Sequence, residues 1–480
     1  MRMRRGLVLN LISNIMFFLS GYALHFFLGN SMPPAEYGVV GTILTVLDFE
    51  YMFVSNGARQ SLASQISSGR YDIVDTVVKT IAFQFIVIAV FFCINFFGAP
   101  VFGVVFNDAS LDFYFRVAGL LVIVNGLQVI LLGINDGLQR FGTSALLGTF
   151  YPVAKLGTIP LILFVFQSDP VLGVEAGFTL AVLVTIAIGC VLLVANHAPF
   201  TVRKPERIRF GQIAHHTLSF SVFFIVVSLV LSFDTLIVKA VVEPSSMAGY
   251  YTGAMNFGKI TYYLLQAFST VILPVVAGLM SKGKSVEALQ RIRGLLILAF
   301  AFILPISVII SASSASLLAS FYSEDYAVAA TALSCLSFSN FFMGMTVILN
   351  MVLNATQPSR FSDALSVISL VLVIPIFIVS ASNGGITAIA VASASCTALM
   401  MLASFARIRQ VVGKVMTRTA WVIICTCVVL WLLVHGIFAA LDITGLLSIV
   451  VAYAVCYFAF LGALVAAQVL KPSELLALLN

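Results

Sequence analysis

Long apolar runs, bounded by Gly, Pro or charged residues, recur from one end of the chain to the other. A helix needs roughly 20 apolar residues to cross the hydrocarbon core, whereas a barrel strand shows short alternating segments. Runs such as "TIAFQFIVIAVFFCINFFG" therefore predict helices. The pattern gives fourteen spans, at about 6–28, 38–58, 76–98, 112–135, 143–166, 171–195, 217–242, 249–280, 293–321, 328–354, 361–381, 384–406, 419–441 and 444–469. The N-terminal "MRMRRGLVLN" precedes an apolar run with no small-residue cleavage site after it, so the first span is expected to be retained.

Composition agrees with the pattern. With 61% hydrophobic and 9% charged residues and a mean hydropathy of +1.11, the chain lies far outside the range of soluble domains. The expected fold class is an all-α polytopic membrane protein of about 14 transmembrane helices. Seven cysteines, all in apolar runs and with no C-x-x-C pair, read as packing residues, with no disulfide framework and no metal site.

Charge then supplies the topology. The net charge of +6 comes from basic residues scattered over short loops, which excludes a nucleic-acid stripe. With the N-terminus in the cytoplasm, 21 of the 25 Lys and Arg residues fall on inner loops. The positive-inside rule then puts both termini in the cytoplasm, and a miscounted span would have scrambled this asymmetry.

The chain also repeats itself. "AEYGVVGTIL" matches "MAGYYTGAMN", pairing Gly38 with Gly249 at an offset of 211. "GLQVILLGINDGLQRF" matches "GMTVILNMVLNATQPSRF", pairing Arg140 with Arg360 at an offset of 220. These matches predict two six-helix lobes of the same orientation around a central cavity, at 1–200 and 217–406, related by an axis along the membrane normal. A basic linker, 201–216, joins them and reads as a solvated connector; 407–480 adds a helix pair and a short tail.

This layout, with its "AEYG" loop, its "GYY" helix start and its added C-terminal pair, resembles the polysaccharide transporter family of the multidrug/oligosaccharidyl-lipid/polysaccharide superfamily. The resemblance implies a bacterial inner-membrane flippase that moves a polyprenyl-pyrophosphate-linked oligosaccharide by alternating access, for export of a polymer such as O-antigen lipopolysaccharide. It also implies contact with membrane lipids and with the polymerase or glycosyltransferases of the same pathway. Two relatives are weighed against it. Drug antiporters of the superfamily usually stop at twelve spans, and lipid II flippases carry an Arg-rich pattern near the first loop, whereas no Arg lies between Arg5 and Arg59 here. A membrane glycosyltransferase or polymerase is the enzyme alternative. The longest outer connection, about 99–111, is short for one, although it offers Asp108 and a nearby Asp112. No G-x-x-x-x-G-K-[ST] loop is present, so ATP cannot drive transport from this chain, and no cofactor is expected. Energy comes from an ion gradient or from product removal.

An ionisable group inside a span is costly and normally faces a cavity or a partner. Asp48, Glu50, Lys155, Asp234 and Lys259 are the clear cases. Asp48, Tyr51, Ser55 and Arg59 follow at i, i+3, i+7 and i+11, one face of a regular helix, with Glu50 turned about 200° away. Asp48 and Arg59 are read as cavity-lining, and Glu50 as either cavity-lining or structural. Lys155 is either a phosphate contact or half of a structural pair. The offset of 211 pairs Asp48 with Lys259, which gives either a switching acid–base pair or a static pair between Lys259 and Asp234. His25 is either a proton carrier alongside Asp48 and Glu50 or a satisfied polar residue. Lys239 is expected to snorkel and Arg116 to anchor at the interface.

Overall fold

The computed structural model describes the backbone of residues 2–195, 206–281, 284–356, 361–441 and 443–470. The described residues are helical throughout, and all fourteen expected spans fall on helix. Nine helices are long and apolar enough, among the described residues, to cross a membrane, and the protein is a multi-pass membrane protein. The chain divides into two compact units, Met1–Ser232 and Phe233–Asn480.

The first unit contains α1 (Arg2–Ser31), α2 (Pro34–Tyr51), α3 (Ala58–Ser67), α4 (Ile73–Val105), α5 (Ser110–Gly137), α6 (Phe141–Ala154), α7 (Thr158–Phe164), α8 (Pro170–Ala195) and the start of α9 (Phe210–Val241). Two interruptions shape it. A π-helical segment, Met52–Gly57, joins α2 to α3, and a 3₁₀ turn, Lys155–Gly157, joins α6 to α7. The second break has a sequence cause. Pro152 and Pro160 lack the N–H that would bond the carbonyls four residues earlier, and Gly157 between them favours regular helix least among the non-proline residues, so the helix is interrupted locally. At the centre of the unit lies α5, most of whose residues are buried, whereas α4 and α8 turn large apolar side chains such as Phe97, Val104, Leu180 and Val194 outward. This is the distribution expected when the outer solvent is lipid.

Residues 206–213 pack onto the same unit. Ile208 and Ile213 are buried against Phe83 of α4, Lys79 Nζ donates to the Ile208 carbonyl at 2.7 Å, and Arg70 pairs with Glu206 at 2.8 Å. Ile208 and Ile213 therefore anchor the described part of the linker, while Glu206, Arg207 and Arg209 around them stay exposed. Residues 201–205 lie outside the described residues.

In the second unit the rest of α9 is followed by α10 (Ser246–Ser281), α11 (Ser285–Leu298), α12 (Leu304–Ala312), α13 (Ser314–Phe321), α14 (Ala330–Thr356), α15 (Phe361–Val411), α16 (Arg418–Leu441) and α17 (Leu446–Ala466). The enclosed helix here is α14, flanked by α10 and α15. A sharp kink at Gly384 and Gly385, the latter at φ 58°, splits α15 into the two spans expected on either side of it. A π-helical segment, Ala299–Ile303, joins α11 to α12, and Pro305 just beyond it lacks the N–H that would bond the carbonyl four residues earlier. The C-terminal pair is tied on by polar contacts: Trp431 Nε1 donates to Ser311 Oγ at 3.1 Å, Tyr457 Oη to the Phe302 carbonyl at 3.0 Å, and Tyr453 Oη shares a hydrogen bond with Ser313 Oγ at 2.6 Å. Between lipid-facing helices such bonds do what apolar burial cannot.

Candidate functional site

The 3₁₀ turn brings Lys155 out of register with α6 and sets it beside α8. Its Nζ lies 4.0 Å from the Phe178 ring centroid and 4.7 Å from that of Tyr151. What allows this approach is glycine. A Cβ on Gly177 would collide with Thr158, coming within 2.9 Å of its Cα, and one on Gly173 would come within 2.8 Å of Ile162 Cγ1. Small residues four apart let α7 and α8 pack backbone to backbone, which draws the preceding Lys155 onto Phe178. No carboxylate stands within ion-pair distance of Lys155 among the described residues. Asp48 and Tyr51 of α2 lie within its electrostatic reach, and Asp48 is exposed. The unit thus offers a half-buried ammonium held by two aromatic faces and free of a paired anion, which is suited to an anionic ligand.

Glu50 points elsewhere, as the 200° offset requires. It is 3% exposed and accepts from Asn95 Nδ2 of α4 at 2.7 and 2.8 Å. Arg59 does not follow the regular stripe. The π-helical segment widens the turns between Asp48 and Arg59, so a count at 3.6 residues per turn misplaces it. Arg59 Nε instead pairs with Asp136 Oδ2 of α5 at 2.7 Å. Gln84 of α4 donates to the Val54 carbonyl inside the π segment at 2.6 Å and props it open. The Ser55 side chain lies outside the described residues. His25 Nδ1 shares a 2.9 Å hydrogen bond with Tyr37 Oη of α2.

In the second unit, Asp234 is buried in a nest of donors. Its Oδ2 accepts from Tyr251 Oη at 3.0 Å and Ser393 Oγ at 3.3 Å, and its Oδ1 from the Thr235 backbone N–H at 2.7 Å. Ser393 Oγ meets Ser339 Oγ at 2.9 Å, and Ser339 Oγ in turn meets Thr397 Oγ1 at 3.1 Å. Lys259 acts on Asp234 electrostatically without forming an ion pair of 4 Å or less with it. Lys239 is 6% exposed, so it does not snorkel: Ile237, Val238 and Val242 around it are buried, and the last turn of α9 is enclosed. Arg116 pairs with Asp112 at 3.0 Å and lies over the Phe96 ring.

A family model described as "Polysaccharide biosynthesis protein" matches residues 3–280, more than half of the chain. The chain belongs to that family. A second model, MatE, matches residues 220–379 of this polysaccharide biosynthesis protein. Among solved structures, the lipid II flippase MurJ in an inward closed conformation superposes with a TM-score of 0.72 at 13% identity, over 96% of this chain and 100% of MurJ. An inward-facing multidrug resistance MATE family transporter of the MOP superfamily gives a TM-score of 0.64 at 12% identity, over 85% of this chain and 98% of that one. A MOP superfamily transporter from Pyrococcus furiosus gives 0.59 at 13% identity, over 85% and 96%. No curated protein matches in sequence. The chain therefore belongs to the polysaccharide biosynthesis family and shares its fold with a lipid II flippase and with transporters of the MOP superfamily.

The acids weighed as catalytic have structural partners. Asp112 holds Arg116, and Asp108 accepts from the Ser110 backbone N–H and hydroxyl at 3.0 and 2.6 Å where α5 begins. Among the described residues no group of His, Cys, Asp and Glu could hold a metal ion. Several residues of consequence escaped the sequence reading. Gln84 and Asn95 were visible as amides inside an apolar run, and Phe178 was hidden among many phenylalanines. Glu175, in "VLGVEAGF", stood inside a span and belonged with the five buried ionisable groups.

Proposed function

We propose that this protein is a flippase that carries a polyprenyl-pyrophosphate-linked oligosaccharide from the cytoplasmic to the outer leaflet of a bacterial inner membrane by alternating access, for export of a polysaccharide such as O-antigen lipopolysaccharide. Lys155 carries this reading. A cation within a span, seated on two aromatic rings and lacking a carboxylate partner, suits a pyrophosphate better than the cationic or apolar cargo of a drug antiporter. Membership of a polysaccharide biosynthesis family supports the sugar part of the cargo. A lipid flippase whose fold matches 96% of the chain, against 85% for the MATE transporter, supports the lipid part, because the difference is of the size of the C-terminal helix pair.

In this reading both termini face the cytoplasm, as the distribution of Lys and Arg indicates. The lobes 1–200 and 217–406 are the moving parts, and Asp48, Arg59, Asp234 and Lys259 are further polar groups for substrate, with Glu50 and His25 as ion-coupling candidates. Pathway glycosyltransferases or a polymerase supply and consume the cargo. The test is flipping of a fluorescent polyprenyl-pyrophosphate disaccharide in proteoliposomes. Lys155→Ala is expected to lose flipping at wild-type protein levels and Lys155→Arg to keep part of it. Flipping by Lys155→Ala at the wild-type rate removes the lysine from the site, and transport of cationic drugs in place of the lipid replaces the reading with an antiporter.

A further inference from the structure

Glu175 of α8 is 3% exposed, and neither of its carboxylate oxygens meets a hydrogen-bond partner. Its surroundings are a small apolar cavity lined by Val40, Ile43, Leu44 and Leu47 of α2, Leu121 of α5 and Phe178 of α8 itself, with room for no more than about one water molecule. A carboxylate there would have neither a counter-ion nor a donor, so the group is carried as the neutral acid in this conformation. As a neutral acid it holds no element in place, and Leu would fill the position better. A side chain that costs stability and gives no structural return is the mark of a functional group.

Other acids gather at the N-terminal end of the same helix. Six residues earlier, about 9 Å along the helix, Asp169 stands at the N-terminus of α8. Its Oδ1 accepts from the Leu172 N–H at 3.0 Å and from Tyr114 Oη of α5 at 2.9 Å. Glu36, in the first turn of α2, lies within electrostatic reach of Asp169 and has one buried oxygen with no partner. Glu175 and Asp169 act on each other, and Tyr114 senses all three acids. The other charged and titratable groups on the packed elements are engaged elsewhere: Tyr37 with His25, Glu50 with Asn95, Arg116 with Asp112 and Asp136 with Arg59, while Asp48 and Tyr51 act on Lys155, and Lys155 and Tyr151 meet each other beyond Phe178. No ligand in α7 competes, since "TIPLILF" has no titratable side chain.

We propose that Glu175 is a proton-binding site of the first unit, loaded from the end of α8 marked by Asp169, Glu36 and Tyr114. A proton taken up at a Glu175 oxygen gives the carboxylic acid, and its release leaves the carboxylate. With the N-terminus cytoplasmic, that end is the outer one, so the proton enters from outside the cell. Phe178 lies one turn beyond Glu175 and carries Lys155 on its ring, so a charge appearing at Glu175 is felt at the cation that holds the cargo. The protonation site stands on the structure alone; its use in transport rests on the flippase reading above.

The two parts are tested separately. Infrared spectra of the purified protein are expected to contain the band of a protonated carboxylic acid that is lost in Glu175→Gln and shifts in Glu175→Asp. In proteoliposomes holding the fluorescent lipid, an inward-directed pH gradient is expected to accelerate flipping by the wild type and not by Glu175→Gln. A spectrum unchanged in Glu175→Gln overturns the proton site, and a gradient response shared by Glu175→Gln overturns its use in transport. A band that behaves as expected in a protein that flips nothing under any gradient keeps the site and overturns the flippase. Should Glu175→Gln not accumulate in the membrane, the shift in Glu175→Asp decides: an unmoved band assigns the proton elsewhere.

Discussion

The Nζ of Lys155 stands 4.0 Å from the ring centroid of Phe178, on a helix packed against its own. The contact fixes where the ammonium sits without neutralising it, which a carboxylate partner would do. Removing the aromatic face while keeping bulk, with Phe178→Leu, is expected to cost about 0.5–2 kcal/mol of substrate affinity, and Phe178→Tyr is expected to cost little. Titration of the flipping rate with the lipid-linked disaccharide reads both.

Gly177 lets that contact form. Gly177→Ala places a Cβ within 2.8 Å of Thr158 Cβ, and overpacking of this kind costs about 1–3 kcal/mol. Its unfolding temperature in detergent is expected to fall. Gly436→Ala, where no atom lies within 4 Å of the added Cβ, serves as the control and is expected to leave it unchanged or raise it.

Glu50 and Asn95 form a buried pair whose role is separable by double substitution. Asn95→Leu strands a buried acid and is expected to destabilise by about 1–3 kcal/mol, while Glu50→Leu with Asn95→Leu removes both partners and is expected to be close to neutral. If the double variant is stable and still flips lipid, Glu50 is structural. If it is stable and inert, Glu50 joins the ion-coupling groups.

The hydrogen bond from Arg70 holds the Glu206 carboxyl below its usual range. A lowered carboxylate stabilises the linker anchor above the unfolded pKa and loses that contribution as pH falls through the folded one. Coupling between Arg70→Ala and Glu206→Gln in thermal unfolding is therefore expected at neutral pH in low salt, and is expected to vanish in acid below the ordinary glutamate range or at high salt.

A reporter fused after Arg209 or after Arg418 is expected to register the cytoplasm, since both follow an even number of spans. A periplasmic signal from either fusion overturns the span count, the repeat and the direction of proton entry together.

The sequence by itself determined the class, the helices and the family. Those depend on long-range averages: apolar runs long enough to span, glycines and prolines that end them, and basic residues gathered at alternate joints. It also separated Asp48 from Glu50, because two residues on any regular helix are 200° apart. It did not place Arg59, because a π-helical segment six residues long was enough to change the face, and such turns are held by tertiary contacts such as Gln84 to the Val54 carbonyl. Nor did it give Asp234 its partners: Tyr251 and Ser393 are 17 and 159 residues away along the chain. Glu175 and Asp48 are both acids inside apolar runs, and only packing makes one enclosed and the other exposed. A buried charge is decided by what surrounds it in space, and a linear pattern records only what precedes and follows it.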